Sequence, residues 1–154
     1  SKTKMVTSLK VTEGYAADSP QFIPLLKNTA KYFKVLGISV DKAYGSRDNF
    51  QFAEDIGAQA YIPFKKNVKK IKGFSAFSNA FRLARDKPEL YNQLYHLRSL
   101  TESIFSAVKR RFLDYTRSKK LQARVNETYL KFICYNLCVL IRYYCDKEKI
   151  GEYR

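Results

Sequence analysis

Four polar residues of this chain have types and spacing that could carry phosphate chemistry. The stretch YHLRSLTESIFSAVKRR places Tyr95, Arg98, Glu102 and Lys109 among apolar residues. A carboxylate can bind a hard divalent cation, and Arg and Lys bind phosphate. At about 100° per residue in one continuous helix, all four side chains fall within an arc of about 60°. The stripe is either a functional site or the solvated face of an amphipathic helix, with Arg98 and Glu102 as a stabilising i,i+4 pair.

Asp41 is a second candidate, because it directly follows the apolar run Leu36–Val40 and precedes the residues KAYG. In open α/β sheets, ligand-binding groups collect at the carboxyl ends of the strands. A carboxylate at such an end can bind Mg²⁺. The alternative is an Asp that caps a turn.

Basic residues cluster in two places. KKNVKKIK has five Lys in eight residues, and KRRFLDYTRSKKLQAR has seven basic residues against one acid. The net charge is +15, from 29 Lys and Arg against 14 Asp and Glu, which makes a polyanion the leading class of partner. The alternatives are an anionic membrane surface, an acidic protein, or a solvated basic surface without a partner. Four tyrosines have the helical spacing of core or rim positions, with base stacking as the alternative: Tyr115, Tyr129, Tyr143 and Tyr144.

The periodicity of apolar residues predicts the elements that position these side chains. Alternation indicates strands, helical spacing indicates helices, and Ser19, Ser46 and Gly57 mark helix ends. In chain order, three strands alternate with two helices, and a basic surface loop and two further helices follow. This order predicts an α/β fold with a mixed sheet of about three strands, flanking helices and a helical C-terminal half. The predicted spans are Thr3–Gly14, 19–33, Leu36–Val40, 46–57, Ala58–Ile62, about 65–85, about Asp86–Tyr115 and about Ala123–Asp146. We expect a single domain over residues 1–154.

The composition argues against several other classes of protein. No apolar run approaches the roughly 20 residues that span a bilayer, so we expect no membrane partner and no leader peptide. Cys134, Cys138 and Cys145 lie in an apolar, helix-like stretch, which predicts thiols of the core in a reducing cytosol. His96 is the single histidine of the chain, so a zinc site would need an unusual set of ligands.

These residues together resemble a known family. The gaps Tyr95-(2)-Arg98-(3)-Glu102-(6)-Lys109 match the Y-R-E-K signature of prokaryotic insertion-sequence DDE transposases, spacing for spacing. VDKAYGS resembles the family's second-Asp motif. VTEGYAADSPQFIPLL and GAQAYIPFKKN resemble the flanking segments, and RVNETYLKFICYNL resembles its closing helix. The resemblance covers nearly the whole chain.

The resemblance implies an RNase H-like fold and DNA cleavage and strand transfer by two Mg²⁺ or Mn²⁺ ions. Asp41 and Glu102 then correspond to the family's metal-binding and catalytic carboxylates, and Tyr95, Arg98 and Lys109 to residues that contact the DNA backbone. Further backbone contacts are expected from the basic clusters, namely Lys65, Lys66, Lys69, Lys70, Lys72 and Arg110. The implied partners are transposon ends and target DNA, with a homodimer of the parent protein, in the prokaryotic cytoplasm at the nucleoid.

The sequence departs from the family at one point. The family's first Asp belongs on a strand upstream of the first residue here, and Asp18, Asp48 and Asp55 all follow the opening strand. The resemblance therefore implies a fragment without the first strand and with an incomplete triad. Sixty residues separate Asp41 from Glu102, which leaves little room for the all-β insertion domain of some members of that family, and we expect none.

We accordingly expect an enzyme in the parent protein and an inactive chain here. The alternatives are a non-catalytic nucleic-acid-binding module, a decayed transposase remnant, or a domain that binds an acidic protein.

Overall fold

The structure is a computed structural model that describes residues 3–12, 14, 16–65, 68 and 73–151. The chain divides into two compact units. One unit comprises Thr12–Ser99, and the other combines Ser1–Val11 with Leu100–Arg154. The single domain expected over residues 1–154 stays a prediction.

The described residues form helices and two short strands. The α-helices and strands are α1 (Phe22–Ala30), β1 (Gly37–Ser39), α2 (Arg47–Asp55), β2 (Gln59–Tyr61), α3 (Ala76–Asp86), α4 (Pro88–Tyr95), α5 (Ser99–Phe112) and α6 (Leu121–Gly151). Single turns of 3₁₀ helix lie at Ser19–Gln21, Lys42–Tyr44 and His96–Arg98. Among these residues no helix combines the length and apolar character needed to cross a bilayer.

The first unit is built on a parallel strand pair. Ile38 of β1 lies opposite Ala60 of β2, and both are buried. Helix α2 makes the crossover between the strands and packs on β2 and on α1 and α3. Phe22 and Phe50 anchor this apolar core. The arrangement confirms the α/β prediction, and each of these strands is one residue shorter at either end than predicted.

Local signals set the ends of α2, as predicted. The Ser46 hydroxyl accepts a hydrogen bond from the Asn49 amide at 3.2 Å, which satisfies a free donor of the first turn. Gly57 follows the helix with a φ of 74°, a conformation that costs other residues more. Ser19 is not a cap of this kind: its 3₁₀ turn begins after Asp18 without a side-chain cap bond.

The strand predicted over Thr3–Gly14 is wrong for the described residues of that span, which form no strand. Asn136 of α6 takes the place of a neighbouring strand. Its Oδ1 accepts from the Val6 amide at 2.9 Å, and its Nδ2 donates to the Val6 carbonyl at 2.7 Å. The described sheet therefore has two parallel strands, and the predicted mixed sheet of about three strands is corrected accordingly.

The single helix predicted over about Asp86–Tyr115 is also wrong. The chain forms α4, a 3₁₀ turn and α5 there, because Pro88 starts a new helix and the turn at His96–Arg98 interrupts the period. The loop expected over about 65–85 is wrong for its last ten residues, which are helical, while residues 66, 67 and 69–72 lie outside the described residues. Helix α3 begins at Ala76, where the Ser75 hydroxyl accepts from the Ser78 amide.

The last helix is confirmed and extends beyond both predicted ends. Among its described side chains, Phe132 and Tyr135 are buried and belong to one cluster with Val108 of α5. The six apolar residues predicted as one stripe are instead 38% to 63% exposed: Leu130, Ile133, Leu137, Leu140, Ile141 and Tyr144. The prediction of core thiols is wrong for Cys134 and Cys145, which are exposed, while Cys138 is half-buried.

Candidate functional site

Asp41 is an exposed residue that follows β1 and caps the next turn. Its Oδ1 accepts from the Lys42 amide at 2.6 Å, at the start of the 3₁₀ turn Lys42–Tyr44. The capping role that the sequence left open is therefore present. The capping hydrogen bond uses Oδ1 of Asp41, so Oδ2 could still bind a ligand. The proposed metal-binding role stays a prediction.

The residues around Asp41 hold this loop in place. Asn49, which is 3% exposed, donates from Nδ2 to the Tyr44 carbonyl at 2.8 Å and to the Ser19 hydroxyl at 3.4 Å. The pKa of the Tyr44 phenol is raised, first by burial and then by the negative charges of Asp18 and Asp41. Both carboxylates therefore act on one half-buried hydroxyl, which is kept protonated.

Tyr95 and Arg98 lie beside the strand that leads to Asp41. The Ser39 hydroxyl, at the last residue of β1, donates to the Tyr95 carbonyl. Residues i and i+3 eclipse one another in a 3₁₀ turn, and the Arg98 guanidinium carbon lies 5.9 Å from the centroid of the Tyr95 ring. The structure thus brings the first half of the four-residue stripe to the end of β1.

Glu102 and Lys109 lie on α5, in the other unit. Glu102 is in the first turn, where a carboxylate is favoured by the helix dipole, and Lys109 is in the last turn, where a cation is favoured. Lys109 lies seven positions after Glu102, so both exposed side chains share one face of α5. The 3₁₀ turn at His96–Arg98 interrupts the predicted helix before Ser99. The 60° arc calculated for all four side chains assumed one continuous α-helix, so it does not apply to Tyr95 and Arg98 together with Glu102 and Lys109.

The basic residues predicted to bind DNA are only partly described. Lys65 is exposed in the segment after β2, and Arg110 is exposed in the last turn of α5. Lys66, Lys69, Lys70 and Lys72 lie outside the described residues. Their roles stay predictions.

A complete metal centre is not found in the described part of the chain. There, no three His, Cys, Asp or Glu side chains group so that they could hold an ion. A shared site for Asp41 and Glu102 remains a prediction, and it would need a further ligand.

Tyr91 is a positioning residue that sequence reasoning missed. Its hydroxyl accepts from the Ile62 amide and donates to the Ile62 carbonyl, each at 2.9 Å. Tyr91 is 4% exposed, and burial raises the pKa of its phenol to about 12. These two bonds fix the chain where it leaves β2. Helical spacing in PELY places the residue on α4 and carries no signal for this partner.

Glu127 organises the turn between α5 and α6. Its carboxylate accepts from the Arg117 amide at 3.0 Å, from the Ser118 amide at 3.1 Å and from the Ser118 hydroxyl at 2.9 Å. These hydrogen bonds, led by the one from the Arg117 amide, lower the pKa of Glu127 to about 2.

We expect Glu127→Gln to lower the melting temperature at pH 7 and to weaken its dependence on acid pH. The folded pKa of about 2 lies below the ordinary value of 4.5, so the contribution of Glu127 is present above 4.5 and is lost as pH falls towards 2. Thermal unfolding followed by circular dichroism between pH 2 and pH 7 measures it. Glu89→Gln, at an exposed position of α4, is the matched control, and an equal effect of both variants contradicts the assignment.

The parallel strand pair with its crossover helix places this chain among α/β proteins. A family model is more specific: the model described as Transposase DDE domain matches residues 1–137. The match covers most of the chain, including Asp41, Glu102 and Lys109, and the chain belongs to the transposase DDE domain family. Neither a curated protein nor a solved structure gives a significant match.

Proposed function

We propose that this chain is the catalytic-core part of a DDE transposase that cuts and joins DNA by phosphodiester hydrolysis and strand transfer. Membership of the family supports this proposal directly. The gaps between Tyr95, Arg98, Glu102 and Lys109 support the Y-R-E-K group of prokaryotic insertion sequences and, with it, an RNase H-like fold.

The observation that carries the proposal is the hydrogen bond from Ser39 to Tyr95. Ser39 lies two residues before Asp41, so the bond supports a common site for the strand-end carboxylate and the start of the signature. Arg98 shares the turn of Tyr95, and Glu102 follows in the first turn of α5. In the proposed site Asp41 and Glu102 bind divalent metal, while Tyr95, Arg98 and Lys109 contact the DNA backbone.

The proposed cofactor is Mg²⁺ or Mn²⁺ in a two-metal site. Carboxylates are the hard oxygen ligands that these ions take. The described residues provide no group of three ligands, so Asp41 and Glu102 do not complete a site by themselves. We therefore expect weak ion binding and no Mg²⁺-dependent DNA cleavage by this chain alone.

The proposed partner is DNA, as transposon ends and as target. The net charge of +15 supports contact with phosphates over a broad surface, including Arg110 and the Lys-rich segment from Lys65 to Lys72. A homodimer of the parent protein and a place at the prokaryotic nucleoid belong to the same proposal.

We expect Mn²⁺ to broaden the backbone amide signals around Asp41 and around Glu102 in the same titration. A paramagnetic ion held by both carboxylates relaxes the nuclei close to each of them. The measurement is a set of amide correlation spectra at increasing Mn²⁺. Asp41→Asn should remove the broadening at both places, because each carboxylate alone is a weak ligand.

Asp48→Asn is the matched control, since it removes the same charge from an exposed residue of α2. It should leave the broadening unchanged. Broadening around one carboxylate only, or equal loss in both variants, contradicts the shared site. DNA binding without any Mn²⁺ effect would favour the non-catalytic binding module, and cleavage by this chain would contradict the expected inactivity.

A further inference from the structure

A groove of about 640 Å³ lies between α5 and α6 and is bounded by the N-terminal segment at Thr3 and Lys4. All of its lining residues belong to the unit formed by Ser1–Val11 and Leu100–Arg154. The groove therefore lies within one compact unit. Its volume is in the range of sites that hold small molecules or one or two nucleotides.

Helical spacing explains how the groove forms. On α5, Ser103 and Ala107 lie one turn apart, and their small side chains leave the space open. Arg110 and Arg111 follow on the same side. At about 100° per residue these four lie about 80–180° around α5 from Glu102. The groove thus faces away from the carboxylate proposed to bind metal.

The groove is strongly basic. Its cations are Lys4, Arg110, Arg111 and Arg142, against one acid, Asp146. In the described part of the chain none of the four cations takes part in a hydrogen bond or a salt bridge with the protein. Lys131 of α6, by contrast, reaches the Tyr115 carbonyl. Four cations around one concave surface, without protein partners, favour an anionic ligand.

The floor of the groove is apolar and its rim is aromatic. Ala107, Val139 and the half-buried Cys138 form the floor, and Tyr143, which is 40% exposed, lines the rim. Cations beside an exposed aromatic ring are the combination with which proteins bind unpaired bases and their phosphates. A double helix does not fit inside a groove of this size.

We propose that this groove binds an unpaired segment of a nucleic acid strand, one or two nucleotides long. Lys4, Arg110, Arg111 and Arg142 contact its phosphates, and a base packs against Tyr143 over the apolar floor. The inference rests on the proposed function only in taking DNA as the ligand. It adds a single-strand site that is separate from the metal-binding carboxylates.

The thiol of Cys138 reports directly on occupancy of the groove. A variant with Cys134→Ser and Cys145→Ser keeps Cys138 as its single thiol, and its alkylation is timed with and without oligothymidylate in EDTA. By mass action, oligonucleotide at about ten times its Kd should slow alkylation about tenfold. A matched variant that keeps only Cys134, which is exposed and outside the groove, should react at an unchanged rate.

Charge-matched substitutions test the cations. We expect Arg110→Ala with Arg142→Ala to weaken oligothymidylate binding, measured by fluorescence anisotropy, about tenfold and to lower the salt slope by about 1.4 for two lost phosphate contacts. Lys119→Ala with Lys120→Ala removes the same charge outside the groove and should have a much smaller effect. Tyr143→Ala should weaken binding of oligothymidylate and leave binding of an abasic strand unchanged.

Three results would overturn the inference. They are an unprotected Cys138, equal loss of affinity in the two double variants, and protection of Cys138 by duplex DNA as strong as by the single strand. The last result would show a surface for duplex backbone. Because EDTA is present throughout, failure of the Mn²⁺ experiment leaves these results standing, and failure here leaves the metal site untouched.

Discussion

Replacing Tyr91 by Phe is expected to destabilise the chain by about 2–4 kcal/mol, because it removes two buried hydrogen bonds and keeps the ring. The Ile62 amide and carbonyl would lose the hydroxyl that now serves both of them at 2.9 Å. Ile62 is fully buried, so water cannot replace that partner without opening the core. Urea denaturation at pH 7 measures the change in the free energy of unfolding.

Tyr61→Phe is the control for this substitution. Tyr61 is half-buried and its ring meets the Tyr91 ring edge to face, yet in the described structure its hydroxyl makes no hydrogen bond. Its removal should change stability by less than about 0.5 kcal/mol. Equal losses in the two variants would show that the Ile62 bonds do not stabilise the fold.

The Tyr91 substitution also has a signature at high pH. The folded pKa of about 12 lies above the ordinary value of 10, so the unfolded chain loses its proton first as pH rises. The stability that Tyr91 contributes is complete below pH 10 and is lost between pH 10 and 12. Tyr91→Phe should flatten the fall in stability over that interval.

Local signals in the sequence were sufficient to predict the end of a helix where a single residue determines that end. Ser46 and Gly57 bound α2 because a cap bond and a positive φ depend on the neighbouring backbone alone. The apolar runs before Asp41 and before Pro63 became β1 and β2 because each pairs with the other. The position of Asp41 at a strand end could therefore be predicted from the sequence.

Elements that depend on distant partners could not be predicted in the same way. Alternation in Thr3–Gly14 indicated two faces of an extended chain, but a strand also needs a neighbour, and Val6 meets the side chain of Asn136 instead. The helical period of α6 predicted one buried stripe that includes Leu137. Packing against Val108 instead buries Phe132 and leaves Leu137 exposed.

The two candidate sites also differ in whether their residues are close together in the sequence. The gaps from Tyr95 to Lys109 are readable in the sequence, while the turn that puts Arg98 over Tyr95 interrupts the helix that those gaps suggested. The basic groove gathers Lys4, Arg110 and Arg142 from three separate segments. No local pattern joins such residues, so this site required the fold.

Replacing Asn136 by Asp is expected to destabilise the unit that contains α6 by about 2–4 kcal/mol, since the new side chain cannot donate and a charged acceptor makes the mismatch worse. The substitution keeps the acceptor for the Val6 amide and sets a carboxylate oxygen against the Val6 carbonyl, where Nδ2 now donates at 2.7 Å. Urea denaturation gives the loss of stability, and hydrogen exchange at the Val6 amide shows whether residues 3–12 detach from α6.

Asn126→Asp is the control, because it makes the same change of charge on the same helix. The described contact of Asn126 is an exposed hydrogen bond that Gln122 Nε2 donates to its Oδ1. A carboxylate oxygen accepts the same bond, so Asn126→Asp should change stability little. Acid pH adds a second criterion: protonation of the carboxyl group introduced by Asn136→Asp restores a donor for the Val6 carbonyl, so the difference from the wild type should shrink as pH falls. A loss that is the same at pH 7 and pH 4, or that Asn126→Asp reproduces, would mean that Asn136 does not hold the N-terminal segment in place of a strand.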